Sequence, residues 1–220
     1  MIKFHTTTQL FAKEGWSYIG VFFVIFGIAL YLQFFQWFFL ALLLVAMYVF
    51  RNPERIPAED DDMAILSPCD GTVESISKVT IPTSNLEVVR VVLKKSLSDV
   101  SFLRAPTALY IQKTEKIHGL FLPINSSVAQ GLIERVILTC ESKFSTVRMI
   151  VNVGMFGRKV DLFKSVGPLK SAQRFGLLVD GSVKLYLPID TRIKATIGDS
   201  VKAGESVLGY FGYEKQDDNE

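Results

Sequence analysis

The sequence predicts a mainly β (α+β) protein, in which a compact β barrel or sandwich-hybrid domain follows an N-terminal transmembrane helical hairpin. Two observations predict this architecture. The segment 18–50 is apolar and contains no charged residue, which is more than a helix in the core of a soluble domain needs. The rest of the chain consists of short β-branched runs between turn residues, without a long helical period. The 49% hydrophobic content of the 220 residues is therefore concentrated near the N-terminus.

The apolar segment is too long for a single membrane helix. One helix over 18–50 would rise roughly 50 Å, whereas the hydrocarbon layer is about 30 Å thick. Gln33, Gln36 and Trp37 lie at its midpoint, and an interfacial turn accommodates such amides and an indole. A buried hairpin in a soluble protein is the alternative. We predict two short passes that span a thinned bilayer or dip into it and return, at about 18–32 and about 35–50.

The flanking charges predict the orientation of this hairpin. Lys3 and Lys13 precede it, and Arg51 and Arg55 follow it. Basic residues mark the cytoplasmic side of a membrane segment, so both ends are expected there. We predict a protein of a bacterial or archaeal cell membrane with its folded domain on the cytoplasmic side. The predicted organisation is a membrane hairpin (1–50), a linker (51–62), a β domain (63–213) and a polar tail (214–220).

Seven segments of the β domain favour strands, and we expect a short helix or two between them. Each segment is rich in β-branched or aromatic residues and is bounded by turn residues. In chain order they are TVESISKVTI, LEVVRVVLKK, ERVILTC, TVRMIVNVG, RKVDLFKSV, SVKLYLPI and ESVLGYFG.

Three short stretches carry turn signals. SPCDGTV (67–73) contains Asp-Gly, the strongest short hairpin signal, and LLVDGSVKLYLP (177–188) contains Gly181-Ser182. IGDSVKAGESVLG (197–209) has two glycine turns, a pattern typical of compact hybrid β barrels. Turn chemistry alone predicts hairpin turns at 67–73 and at Gly181-Ser182.

Composition excludes several classes of function. The net charge of +2 is small and the basic residues are scattered along the chain, which argues against a nucleic-acid partner. Cys69 and Cys140 have no metal-ligand spacing, so we predict two free thiols and no metal site. The sequence also lacks a phosphate-binding loop and a dinucleotide fingerprint.

Acid–base candidates are few. His5 precedes the apolar segment, and His118 stands before a glycine in KIHGLFLPIN, where a loop is expected. A Ser-His-Asp hydrolase is disfavoured because no G-x-S-x-G elbow is present. The acidic candidates are Asp70, Asp99, Glu134, Asp161 and Asp180.

Taken in order, the motifs resemble those of the phosphatidylserine decarboxylases, in particular their short, archaeal-type branch. RNPER, SPCDGTV and QRFGLLVDGS are the specific pieces. SLSDVSFLRAPT, Glu134-Arg135 and VKAGESVLG support them, and the resemblance extends from residue 16 to about residue 212.

This resemblance implies a proenzyme that cuts itself between Gly181 and Ser182. In the family, the serine attacks the preceding carbonyl and becomes an N-terminal pyruvoyl group, a covalent cofactor that acts as an electron sink for decarboxylation. The implied products are a large chain, 1–181, and a small chain, 182–220. Asp70 matches the acid of the family's ADG motif, which is thought to assist cleavage, and Cys69 takes the place of its alanine.

The implied reaction converts phosphatidylserine to phosphatidylethanolamine in phospholipid biosynthesis. A membrane-anchored domain would meet the headgroup of this lipid at the interface. The implied partners are the phospholipid and the two chains of the precursor, with a homo-oligomer as a further option.

The sequence departs from the family pattern at three positions. Ser101 holds the position of the histidine in the family's DVH stretch, and Arg104 holds that of a second histidine found in longer relatives. Ile133 replaces the asparagine before the Glu-Arg pair. Two functions are compatible with this pattern: an enzyme that matures at Ser182 with Asp70, Ser101 or water in the role of the histidine, or an uncleaved, inactive paralogue that serves as a lipid-binding or partner subunit.

Overall fold

The computed structural model describes residues 16–33, 35–49, 51, 53, 55–59, 61–81, 86–120, 132–157 and 160–212. Backbone contacts divide the chain into two units, Met1–Arg55 and Ile56–Glu220, and this division falls inside the predicted linker. The predictions that concern Lys3, His5, Lys13 and the tail lie outside the described residues.

Two helices make up the described part of the first unit, α1 (Trp16–Tyr31) and α2 (Gln36–Val49). The helices contact each other, and Ala29, Leu43 and Ala46 are their buried residues. The chain reverses at Gln33 (φ 51°) and Phe35 (φ 46°), left-handed conformations of the kind that end a helix. The turn therefore lies where the two glutamines predict it.

The helices contain 16 and 14 residues. In the described parts of the chain, no helix combines the length and the apolarity that a membrane crossing requires. The transmembrane prediction is thus not supported by the structure.

The described residues of the second unit form fourteen strands in three antiparallel sheets. The largest has eight strands in the order β13-β2-β3-β11-β7-β6-β5-β9, and the two smaller sheets have the orders β1-β14-β12 and β4-β10-β8. Mainly β architecture is therefore confirmed. The strands are β1 (Ala64–Leu66), β2 (Gly71–Ile81), β3 (Leu86–Lys95), β4 (Phe102–Arg104), β5 (Leu109–Ile117), β6 (Arg135–Ser142), β7 (Thr146–Val153), β8 (Asp161–Leu162), β9 (Gly167–Leu169), β10 (Arg174–Leu177), β11 (Gly181–Pro188), β12 (Arg192–Ile193), β13 (Ser200–Val201) and β14 (Val207–Tyr210).

The core lies on one face of the eight-stranded sheet. Side chains alternate between the two faces of a strand, and every second residue of the central strands is apolar and buried. Such residues include Val91 and Leu93 of β3, Val151 of β7, and Val183 and Leu185 of β11. Strands β4, β10 and β14 pack on this face through Leu103, Phe175 and Leu208.

The predictions of hairpin turns at 67–73 and at Gly181-Ser182 are both wrong. β1 pairs with β14, whereas β2 pairs with β3 and β13, so the segment 67–70 passes between two sheets. β10 pairs with β4 and β8, whereas β11 pairs with β3 and β7. The segment 178–180 is therefore also a crossover, because Leu178 N donates to Ser101 O (2.7 Å) and Asp180 O accepts from Gly154 N (2.9 Å).

Other strand predictions differ in detail. Five of the seven predicted segments coincide with β2, β3, β6, β7 and β11, and ESVLGYFG contains β14. RKVDLFKSV retains only the two-residue β8, and the long strand β5 was not predicted. No helix occurs in the described residues of 56–212, in contrast to the expected one or two. The two glycine turns at 197–209 are confirmed, with Gly198 at φ 95° and Gly204 at φ 68°.

Candidate functional site

Ser182 lies inside the sheet rather than at a turn. It is the second residue of β11, between Lys94 of β3 and Asn152 of β7, and only 1% of it is exposed. Asn152 Nδ2 donates a hydrogen bond to Ser182 Oγ (3.1 Å). Since paired residues of neighbouring strands project to the same face, Ser182 Oγ and the Asn152 amide share the face opposite to the core.

The residue before Ser182 must be glycine for a steric reason. A Cβ atom at Gly181 would overlap the main-chain oxygen of Asn152. Gly71, which follows Asp70, is similar: it has φ 150°, and its Cβ would overlap the main-chain oxygen of Lys94. Both Gly-containing motifs therefore lie tight against neighbouring strands, and β3 borders on each of them.

Asp70 is held in the crossover before β2. It is 7% exposed, and its carboxylate accepts hydrogen bonds from Ala203 N (2.8 Å, to Oδ1) and Val100 N (3.3 Å, to Oδ2). Two main-chain donors favour the ionised form of a carboxylate. The structure thus presents Asp70 as a fixed anion at the end of the sheet where Gly181 and Ser182 lie.

A buried lysine occupies the centre of this end of the sheet. Lys95 pairs directly with Gly181 and is 1% exposed. Its Nζ donates to Ser96 O (3.0 Å) and Asp99 O (2.9 Å). Lys95 therefore ties the turn after β3, whose Val100 binds Asp70, to the strand beside the Gly181–Ser182 bond.

The charges around Lys95 form a small cluster. Burial lowers the pKa of its ammonium, while the attraction of Cys69, Asp99, Asp70 and Asp180 opposes this shift. Burial also raises the pKa of Cys69 to about 12, so this residue is a neutral thiol at physiological pH. Three carboxylates are consequently the anions that the Lys95 ammonium faces.

The two substituted family positions have different surroundings. Ser101 is buried, and its main-chain oxygen accepts from Leu178 N (2.7 Å), four positions before Ser182 in the sequence. Arg104 lies in β4 and donates through Nη1 to Ala172 O (3.1 Å). Ser101 is therefore next to the chain that leads into the Gly-Ser pair, whereas Arg104 supports a loop of the β4–β10 sheet.

The other acidic candidates serve local structure. Asp99 Oδ2 accepts from Ser96 N (2.7 Å), which closes the turn after β3. Asp180 Oδ2 accepts from Phe156 N (3.2 Å). Glu134 meets Val153 through its main chain, and Asp161 pairs with Leu177 in β8. Of these, the structure brings Asp99 and Asp180 to the Lys95 cluster.

His118 and the two cysteines can also be located relative to Ser182 and the sheet. His118 is exposed and follows Ile117, which lies three strands from Ser182 along the row Ile117, Arg135, Asn152, Ser182. This separation is about 14 Å at the usual strand spacing, which is too far for proton transfer to Ser182. Cys69 and Cys140 are free thiols, as predicted, and the structure buries both.

Asn152 and Lys95 were missed by sequence reasoning. Asn152 sits in an apolar strand, TVRMIVNV, where a buried amide is a weak signal for a polar site. Lys94 and Lys95 are adjacent in a strand, and alternation requires them to face opposite sides. This pattern is the one sequence signal that points to an inward lysine.

The arrangement is suited to an acyl shift at Gly181–Ser182. The Asn152 amide donates to the Ser182 hydroxyl and orients it. Because the hydroxyl accepts in this hydrogen bond, its own proton is free to be donated to another acceptor. Asp70, Lys95 and Asp180 supply charged groups around the adjoining residue. A buried nucleophile that follows a residue bordered by charged groups is a candidate reactive centre.

Comparisons with known proteins address the same region. The family model described as phosphatidylserine decarboxylase matches residues 42–209. The chain is 34% identical over 177 residues to the phosphatidylserine decarboxylase proenzyme of Ehrlichia chaffeensis, covering 78% of each chain. It is 32% identical over 214 residues to the proenzyme of the same name from Burkholderia cenocepacia, covering 90% of this chain and 95% of that one. A third relative, from Paraburkholderia xenovorans, carries the same name and is 30% identical over 207 residues, with 90% and 96% covered.

Proposed function

Because the chain belongs to the phosphatidylserine decarboxylase family, a family of carboxy-lyases, we propose that it is a proenzyme that cleaves itself between Gly181 and Ser182 and decarboxylates phosphatidylserine. The observation that carries this proposal is the buried Gly181-Ser182 pair at the start of β11, with Ser182 Oγ bound by Asn152 (3.1 Å). The assignment to the short, archaeal-type branch stays a prediction.

Cleavage requires a defined sequence of bond changes. Ser182 Oγ attacks the carbonyl carbon of Gly181, the C–N bond breaks, and an ester joins the two residues. Loss of the Cα proton of residue 182 then expels the Gly181 carboxylate. Hydrolysis of the resulting enamine, through its imine tautomer, releases ammonia and leaves a pyruvoyl group. The chains would be 1–181 and 182–220.

The surroundings of Ser182 fit this group. The tight approach of β7 leaves no room for a side chain at residue 181, and the Asn152 amide can donate to an oxygen at residue 182 before and after cleavage. When formed, the pyruvoyl group supplies the electron sink for decarboxylation. Burial of residue 182 strengthens the polar contacts there.

Proton transfer requires an acceptor other than a histidine in this chain, since Ser101 stands where relatives have a histidine. Asp70 is the anion that the family resemblance and the structure both bring to this end of the sheet. We assign it the role of proton acceptor. Lys95 acts as a positioning residue, because it holds the turn that carries Val100 and balances the Asp70 charge.

Membrane attachment is part of the proposal. Both helices of the first unit expose large apolar side chains, among them Phe23, Tyr31 and Trp37. A helix with apolar residues on all sides is unsuited to water, which supports association with lipid. With the basic residues Arg51 and Arg55 after the hairpin, we propose a cytoplasmic-side location on the cell membrane.

A second function is supported by Ser101. This residue is 1% exposed and has no imidazole to offer, so a paralogue that keeps the fold but stays uncleaved is the competing proposal. Such a protein would act as a lipid-binding or partner subunit.

Intact mass spectrometry of the purified chain separates these proposals. We expect two species, a large chain that ends at Gly181 and a small chain 182–220 whose N-terminus is blocked, together with release of carbon dioxide from phosphatidylserine. A single species of 24.7 kDa without decarboxylation would reject the enzyme and favour the uncleaved subunit.

Lys95→Met should slow self-cleavage roughly tenfold. Removal of the ammonium is expected to shift the pKa of the neighbouring carboxylates by about one unit, which is a tenfold change in their protonation equilibrium. Pulse-chase labelling would measure the rate as a function of pH. Lys95→Arg should restore much of the rate because the positive charge returns. Lys170→Met, the same change at an exposed position, is the control. A slow rate in Lys95→Met with the pH profile of the unaltered chain would indicate a structural role only.

Lys95→Met should also change how the free energy of unfolding depends on pH. The pKa of Lys95 lies below its ordinary value of 10.5 in the folded state, so the unfolded state binds more protons between the two values. The free energy of unfolding should therefore rise with pH across this window. In Lys95→Met this rise should be absent, as measured by denaturant unfolding of chains that also carry Ser182→Ala.

A further inference from the structure

The face of the eight-stranded sheet opposite to the core is basic. Four adjacent strands contribute to it: β3, β11, β7 and β6. Their residues on this face alternate with the buried apolar residues of the core. We call this surface the basic face, and it consists of Arg90, Lys94, Arg135, Arg148 and Lys184.

The strand register concentrates these charges. Arg90 and Arg148 both pair with Tyr186, so the three side chains form one row across the sheet. Lys184 lies one row away on the same strand and the same face. It is half-buried, and its pKa is lowered by burial first and then by the proximity of Arg90 and Arg135, while Glu74 opposes the shift.

Some guanidinium groups of the basic face contain buried Nε donors that make no hydrogen bond to the described residues. The Nε atoms of Arg90 and Arg148 are inaccessible to solvent and make no hydrogen bond to any described residue. Arg90 uses only Nη2, which donates to Ser77 Oγ (3.1 Å). Buried unsatisfied donors destabilise a fold, and so do crowded like charges such as those around Lys184. An anion on this surface would relieve the crowding of the charges.

Two nearby carboxylates act on the cations of the basic face. Glu115 is bound by Lys113 (2.5 Å), and that hydrogen bond is the main cause of its lowered pKa, with Arg148 a minor one. Glu74 is the anion that offsets the crowding at Lys184. The basic face thus gathers five cations on one surface of a chain whose net charge is only +2.

We propose that the basic face binds the phosphodiester of an anionic glycerophospholipid. Ser182, Lys184 and Tyr186 follow one another on the same face of β11, and two residues of a strand span about 7 Å. The amine of a phosphoserine headgroup is a few bonds from its phosphorus. A phosphate at Lys184 would thus place that amine near residue 182, a deduction that rests on the proposed function.

The apolar residues of this surface favour a lipid over a nucleic acid. Leu86 lies on the same face of β3 as Arg90 and is 62% exposed. Cations that share a surface with an exposed aliphatic side chain suit the boundary between phosphate headgroups and acyl chains.

Binding can be measured without any cleavage. The full chain carrying Ser182→Ala, solubilised in nonionic detergent, would be titrated with dihexanoyl phosphatidylserine. The test variant adds Arg90→Gln, Arg148→Gln and Lys184→Gln. Its matched control adds Lys143→Gln, Lys170→Gln and Lys202→Gln, which are exposed lysines outside the basic face, so both variants lose the same charge.

We expect the test variant to bind about a hundredfold more weakly, at roughly a factor of five for each cation, and the control to bind within twofold of the parent. Equal loss in both triple variants, or unchanged affinity in the test variant, would overturn the proposal. So would displacement of the lipid by equimolar inorganic phosphate or by a short DNA duplex. If the triple variant fails to fold, Lys184→Gln alone should show about a fivefold loss.

The outcome of this binding experiment does not depend on whether the chain is an active enzyme. A chain that never cleaves still tests the basic face, because every arm carries Ser182→Ala. Absence of decarboxylation would instead appear in the intact-mass and carbon dioxide measurements on the unaltered chain.

Discussion

Ser182→Ala should yield a single full-length chain of 24.7 kDa and no release of carbon dioxide from phosphatidylserine. Alanine removes the atom that attacks Gly181, and neighbouring groups cannot replace a nucleophile that must come from residue 182 itself. The fold should survive, because the change leaves one buried amide donor of Asn152 without its acceptor, a loss of about 1–3 kcal/mol.

The control for this experiment is Thr72→Ala. Thr72 pairs with Lys94, the cross-strand neighbour of Ser182, and is exposed. This variant should cleave as the unaltered chain does. Fragments that persist in Ser182→Ala would show that another bond is cut, and activity without fragments would rule out a pyruvoyl group at residue 182.

Asp70→Asn should slow self-cleavage by about a hundredfold or more, the usual contribution of a positioned acid or base. The amide has the same size but no charge and no capacity to accept the serine proton. One of the main-chain donors, Val100 N or Ala203 N, would also face an amide hydrogen, which should lower stability by about 1–3 kcal/mol. Gel analysis after pulse labelling would measure the half-time.

Asp199→Asn makes the same chemical change at a remote turn. Its carboxylate accepts from Thr196 N (2.8 Å), and that bond lowers its pKa, so a modest loss of stability is expected there without an effect on cleavage. Equal cleavage rates in Asp70→Asn and the unaltered chain would remove Asp70 from the mechanism. A separate denaturant melt of each variant distinguishes slow cleavage from incomplete folding.

Strand content was predictable because it depends on local alternation. In β3, β7 and β11, apolar residues recur at every second position, and the structure buries these positions. Partner choice was not predictable in the same way. Asp70-Gly71 and Gly181-Ser182 have the composition of hairpin turns, but β1 finds its partner in β14 at the other end of the domain. Such long-range pairing depends on how three sheets share one core.

The residues of the candidate site likewise divide into those that the sequence predicts and those that only the structure reveals. Asp70, Gly181 and Ser182 were identified from their order along the chain, by resemblance to a family. Asn152 and Lys95 join the site only through the register of β7 and β3 with β11, which single-sequence patterns do not specify. The inward orientation of Lys95 was open to inference from two adjacent lysines in one strand.

The position of β11 has a kinetic consequence for the mature protein. Eight residues of this strand pair with β3 and six with β7, while β13 and β14, farther along the same chain, belong to two different sheets. If the bond before Ser182 is cut as proposed, the small chain is interleaved with the large one and has no route out of the folded domain. After complete unfolding, however, the two pieces are separate molecules. Refolding then becomes a second-order reaction that depends on concentration, so the lifetime of the mature enzyme is governed by its unfolding rate rather than by an equilibrium.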